Sequence, residues 1–195
     1  MANLKEIRTR ITSVASTMQI TSAMKMVSAA KLKRAQDAIT QMRPYAEKLR
    51  EILVNISSTL EGSAEGVFSQ EREVNKVLIV AIASNRGLCG AFNANVFKAA
   101  ENRIREYAEK EVQIYAIGKR SADYFAGKHT VFNSNTEIFN NLNYEHVALM
   151  AQEVMDAFVQ GEFDKVEIIY NEFKNAATQE VVTQQFIPVV PEEND

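Results

Sequence analysis

Apolar side chains recur every three and a half residues across the first sixty positions of the chain. Steps of three and four from Leu4 meet Ile7, Ile11, Val14, Met18, Thr21, Lys25, Ser28, Leu32, Ala35, Ile39, Met42, Ala46, Leu49, Leu53, Ile56 and Leu60, and fourteen of these seventeen positions are apolar. A helix with that repeat buries its seam by supercoiling left-handedly against a partner helix. At 1.5 Å per residue the stretch 4–60 makes a rod of roughly 85 Å, too long for the body of a small domain. Pro44 lies inside the repeat, where it removes a backbone donor and is expected to kink the helix or mark a change of partner.

After the glycines at 62 and 66 the period changes. Residues 76–84 (KVLIVAIAS) form a continuous β-branched run, the pattern of a central strand covered on both faces. Helical spacing follows over 91–110, a strand over 112–117, a short helix over 119–126, an alternating strand over 129–138 and an amphipathic helix over 144–159. Two more strands, 165–173 and 181–189, are close enough in sequence to form an antiparallel hairpin at one edge. Strands alternating with helices predict a parallel-type sheet with helices on its faces. The expected fold class is therefore α/β: a long N-terminal coiled-coil helix over 1–62, a linker over 63–73 and a Rossmann-like, mostly parallel α/β domain over 74–190. Pro188 and Pro191 close the sheet, and 191–195 is an acidic tail.

Charge divides along the same line. Residues 1–50 carry ten Lys/Arg against three Asp/Glu, and the remainder carries twelve against twenty-two. A basic rod suits nucleic acid, anionic lipid or acidic protein surfaces. Tyr45 is its one aromatic residue, which argues against base stacking. No apolar run is long enough to span a membrane, and charges at Lys5, Glu6, Arg8 and Arg10 interrupt any secretory leader. A single cysteine, Cys89, excludes an internal disulfide and suits a reducing compartment.

The chemistry-bearing candidates are few. Asn85-Arg86-Gly87-Leu88-Cys89-Gly90 joins a strand to a helix, where an α/β domain can cradle a phosphate. The spacing matches neither of the common glycine-rich phosphate loops. The alternative is a structural turn in which Gly87 and Gly90 relieve backbone crowding and Cys89 packs beside the strand. A thiol at a helix N-terminus with His129 or His146 near it would instead be a nucleophile. On the rod, Thr21, Lys25 and Ser28 break the stripe while Ile20, Met24 and Val27 carry the apolar side. Lys31, Lys33 and Arg34 follow. Polar seam positions weaken a coiled coil, so this break is read as a place where the rod meets a second, acidic partner rather than as a solvated stutter.

The segments KEIRTRI at 5–11, ITSAMKMVSAAK at 20–31, RPYA at 43–46 and NRGLCGAFN at 85–93 closely resemble the γ subunit of the F-type ATP synthase, in order along the whole chain. Ala91 stands where that family often has a second glycine. The family continues for about another third of its length, into a long helix that winds antiparallel around the first, and the chain is expected to lack that part. The resemblance implies a non-catalytic rotor subunit without cofactor or metal. It implies α and β subunits around the rod, an ε subunit and a membrane c-ring at the foot, no nucleic acid, and membrane association only through that ring. Carried over by residue, Met24, Lys25, Lys31 and Arg34 would meet acidic levers of β. Arg43, Pro44 and Tyr45 would face the ring and ε, and Gly87, Cys89 and Gly90 would form a structural turn. The implied location is the cytoplasmic side of a bacterial inner membrane. With no partner for its stripe, the isolated chain is expected to self-associate, rods antiparallel or rod laid on a neighbour's α/β domain. A nucleotide-binding α/β protein and a free-standing coiled-coil adaptor remain the alternatives.

Overall fold

A computed structural model of the chain describes residues 3–60 and 66–189. The chain divides into two compact units, 1–53 and 54–195. The first is carried by one α-helix, α1, over Leu4–Leu60. Its helical assignment runs through Pro44 without a break. Eleven aliphatic or methionine positions of the heptad stripe, from Leu4 to Ile56, are between 36% and 68% exposed. The stop expected at 61–65 and the acidic tail at 191–195 lie outside the described residues.

The second unit holds strands β1 Lys76–Ile82, β2 Glu111–Ile117, β3 Val131–Asn135, β4 Lys165–Phe173 and β5 Gln179–Ile187. Helices α2 Phe92–Glu106, α3 Lys119–Phe125 and α4 Tyr144–Val159 connect them. The sheet order is β3-β2-β1-β4-β5. β1 pairs in parallel with β2 and β4, β2 with β3, and β5 closes the edge antiparallel to β4. The mostly parallel sheet and its one antiparallel edge are as the hydrophobic pattern predicts.

The apolar run of β1 is buried because it serves two cores. Val77, Ile79 and Ala81 face a layer with Val96 and Ala100 of α2 and Phe125 of α3. Leu78 and Val80 face the opposite layer, with Val154, Ala157 and Phe158 of α4. Alternation with period two divides one strand between both faces. Of the segment expected as a linker, residues 63–65 are outside the described range, whereas Phe68 and Val74 pack on the two cores. Phe68 stacks on Phe158 at 6.2 Å between ring centroids, and its carbonyl accepts the Val189 N–H at 2.7 Å. A glycine is obligatory at Gly118, the exit of β2: at φ +89° a Cβ there would lie 2.0 Å from the Ala83 carbonyl oxygen.

Two differences from the sequence reading stand out. The strand expected over 129–138 is shorter: His129 turns to Glu101 of α2 at 3.0 Å, and Ile138–Asn140 forms a 3-10 turn. Glu167, between Val166 and Ile168 of β4, is 2% exposed. It accepts from Arg103 Nε at 2.6 Å, Arg103 Nη2 at 2.5 Å and the Tyr107 hydroxyl at 2.8 Å, with Lys165 Nζ 3.4 Å away. Burial raises the carboxyl's pKa, but the bonds from Arg103 and Tyr107 outweigh it and hold the group below its ordinary value. Tyr107 is pushed up to about 12, by burial first and by Glu167 second.

Candidate interaction surfaces

On α1 the residues singled out from the sequence are all exposed, Met24 at 65% and Tyr45 at 62%. At about 100° per residue, Met24, Lys31 and Arg34 fall within one quadrant of the helix, together with Ile20 and Val27, while Lys25 points about 100° away from Met24. The structure therefore brings three of the four onto one face and sets Lys25 apart. Lys25, Lys31 and Arg34 form no ion pair among the described residues, whereas Lys33 reaches Asp37 at 3.8 Å. Arg43, Pro44 and Tyr45 are consecutive and fan around the helix.

At the seam break the Thr21 hydroxyl is satisfied within the helix. The Thr21 hydroxyl donates to the Thr17 carbonyl at 2.7 Å, and Thr9, Thr12 and Thr17 likewise donate four residues back. What this face presents is charge and shape.

The loop after β1 is built around Asn93, which is 6% exposed. Its Oδ1 accepts the Ser84 N–H and the Ser84 hydroxyl, each at 3.0 Å. Its Nδ2 donates to the Arg86 carbonyl and to Cys89 Sγ, each at 3.3 Å. Asn85 ties the loop sideways, donating to the Thr136 carbonyl and accepting the Lys119 N–H. So cradled, the loop pushes Leu88 fully into solvent with φ +59°, left-handed backbone that a leucine rarely adopts.

This geometry corrects two expectations. Cys89 is not packed beside the strand but exposed, because Asn93 takes the buried position. Nor do the glycines relieve crowding: a Cβ at Gly90 would meet nothing within 4 Å, and one at Gly87 only Arg120 Nε at 4.0 Å. Gly90 is needed for its φ of +59°. The sequence could not flag Leu88, since the glycines flank it and do not occupy it.

Among the described residues, four surface grooves of about 210 to 460 Å³ are lined by no residue from 84–91. His129 and His146 are engaged elsewhere, with Glu101 and the Asn141 carbonyl. Among the described residues no cluster of three metal-ligating side chains exists, and no helix is long and apolar enough to cross a membrane.

Comparison with known proteins gives one answer. Residues 3–195 match the family model described as ATP synthase. The ATP synthase gamma chain of Flavobacterium psychrophilum is 60% identical over all of this chain and 68% of its own length. That of Flavobacterium johnsoniae is 62% identical over 98% of this chain and 67% of its own. The chain thus spans about two thirds of these bacterial relatives. Among solved structures, a chain of the central stalk and c-ring of the Tetrahymena thermophila mitochondrial ATP synthase superposes with a TM-score of 0.69 at 25% identity, covering 87% of this chain and 72% of that one. A chain of the Euglena gracilis mitochondrial ATP synthase rotor matches the fold with a TM-score of 0.56, at 18% identity over 92% of this chain and 61% of that one.

Proposed function

The chain belongs to the ATP synthase gamma-chain family, and from that premise we propose that it is the central-stalk rotor subunit of a bacterial F-type ATP synthase. Ion flow turns a membrane c-ring, the α/β unit rides on that ring beside ε, and α1 turns inside the hexamer of α and β. An asymmetric shaft then carries each β site through states of different nucleotide affinity. The chain binds no cofactor and catalyses no step itself. It sits peripherally on the cytoplasmic side of the inner membrane, held there through the ring. Residues 1–62 act as the shaft and 74–190 as the foot.

One observation carries this reading: a 57-residue helix with an exposed apolar seam and, beside Met24, Lys31 and Arg34 that form no ion pair among the described residues. Such a face suits a sleeve whose wall carries carboxylates; Met24, Lys31 and Arg34 on it, with Lys25 about 100° round the helix from Met24, are the proposed contacts with the acidic levers of β. Arg43, Pro44 and Tyr45 are the proposed contacts of the foot with the ring and ε. Gly87, Cys89 and Gly90 shape the loop that carries Leu88. Outside the complex the exposed seam leads the isolated chain to self-associate.

The test is co-expression with the α and β subunits of a bacterial ATP synthase. Retention of the chain on the hexamer through size exclusion, lost when Met24, Lys31 and Arg34 are replaced together by Glu, is the expected result. A hexamer that never retains the chain would reject the proposal, and nucleotide bound by the isolated chain would move it to the nucleotide-binding class.

A further inference from the structure

The exposed apolar side chains of the α/β unit are concentrated in one place. Of seven large hydrophobics exposed between residues 66 and 189, all but Leu88 lie between Phe139 and Val159, on the 3-10 turn, the loop after it and α4. Charge of one sign coincides with them. Residues 129–164 contain six carboxylates and no Lys or Arg. None of the six forms an ion pair among the described residues.

Two grooves, of about 460 and 430 Å³, flank α4 and share Leu149, which is 70% exposed. Glu153, Asp156 and Glu162 line the first and Glu137 the second. From His146 to Gln160 the helix borders this trough for about 21 Å, the length of a four-turn helix. Carboxylates along it repel nucleic acid and anionic lipid alike. What fits is a helix with an apolar ridge and basic flanks.

The chain carries such a helix itself. Residues 7–36 contain six Lys/Arg and no Asp/Glu, the mirror image of the acidic segment. Ile20, Met24 and Val27 are 57% to 65% exposed beside Lys31 and Arg34. Parallel seam-to-seam pairing of two rods would set these all-basic stretches against each other, and like charges across an interface cost several kcal/mol, while antiparallel pairing would set them largely against residues 37–60, whose three Asp/Glu and three Lys/Arg offer no net attraction. The acidic trough removes that conflict.

We propose that the trough along α4 is the docking site for α1 of a second copy of this chain, engaged through residues 20–34. The inference rests on the reading that the isolated chain self-associates, and it says where. Lys31 and Arg34 meet Asp156 and Glu162, while Met24 and Val27 cover Leu149. Docking and insertion of α1 into a hexamer are mutually exclusive, so the contact belongs to the unassembled subunit and is released on assembly.

Sedimentation equilibrium of the full chain between about 1 and 100 µM tests this, since association of micromolar strength falls in that window. Lys31→Glu with Arg34→Glu on α1, and separately Asp156→Lys with Glu162→Lys on α4, are each expected to weaken association about tenfold or more, as is Leu149→Asp. All five positions are exposed, so the far-UV spectrum and melting of the variants should match the parent. Combining both charge reversals should restore association to within about threefold of the parent, which only direct pairing of the two surfaces does. A parent chain monomeric throughout would overturn both the self-association reading and the docking site. Association abolished by Ile11→Lys but unmoved by the α4 reversal would keep self-association and overturn the docking site.

Discussion

Arg103 of α2 and Glu167 of β4 form a two-pronged ion pair across the boundary between helix and sheet, with the carboxylate shut off from solvent. It is the electrostatic tie between α2 and the sheet, and a buried ion left alone costs far more than an exposed one. Arg103→Met should therefore destabilise the α/β unit by about 3 kcal/mol, measured by urea unfolding.

Because the folded-state pKa of Glu167 is depressed, the stability it contributes is complete above the unfolded carboxylate pKa of about 4.3 and is lost as pH falls through the folded value. Glu167→Gln should remove that part of the acid dependence. Parent and variant stabilities should differ at neutral pH and converge in acid. Parallel stability curves across the acid range would rule Glu167 out as their source.

Leu88 combines full exposure with a left-handed backbone. Asparagine tolerates that conformation better than leucine, and no packing is lost on replacement. Leu88→Asn should raise stability by about 0.5–1 kcal/mol in thermal or urea melts. If the protruding leucine serves a partner, the same change should lower affinity for that partner while stabilising the free chain.

Asn93 and Cys89 should respond in opposite ways. Asn93→Ala strands the Ser84 N–H and frees the loop, at a cost of about 2 kcal/mol. Cys89→Ser, at an exposed position with only weak sulfur contacts, should leave stability within about 0.5 kcal/mol of the parent. The native thiol should be open to an alkylating reagent in the folded chain.

Under the rotor reading, a longer version of the chain carrying Lys31→Glu and Arg34→Glu should couple rotation to catalysis poorly. Proton pumping driven by ATP hydrolysis should fall, while hydrolysis by α and β alone continues. Unchanged pumping would remove both residues from the torque contact.

A fragment starting at Gly66 should melt cooperatively. One starting at Glu71 should melt lower, having lost about 2 kcal/mol of burial and stacking at Phe68.

How much of this was legible in the sequence depended on whether burial followed periodicity. The run at 76–82 is so uniformly apolar that only a strand covered on both faces could absorb it, and α4 was bounded correctly at Tyr144 and Val159. Glu167 was invisible because the partners that make its burial tolerable, Arg103 and Tyr107, lie about sixty residues away and show no local pattern. The exposure of Cys89 went unseen for a similar reason. Residue hydrophobicity favoured the cysteine inside, but the turn needed an amide that could both donate and accept. On α1, Met24, Lys25, Lys31 and Arg34 were grouped by resemblance and charge, and helical geometry sets Lys25 about 100° round the helix from Met24.

The threonines of α1 carry a mechanical implication. Thr9, Thr12, Thr17 and Thr21 spend their hydroxyl protons on the helix's own carbonyls, so their outward surface is largely methyl. A shaft that donated hydrogen bonds to its housing would be caught at each angle where a bond could form, and every step would begin by breaking it. With these four donors turned inward, the threonines meet their surroundings through non-directional forces whose strength varies smoothly with angle. Under the rotor reading these threonines add no local bonds that turning would have to break, and the proposed stops are the long basic side chains of Lys31 and Arg34.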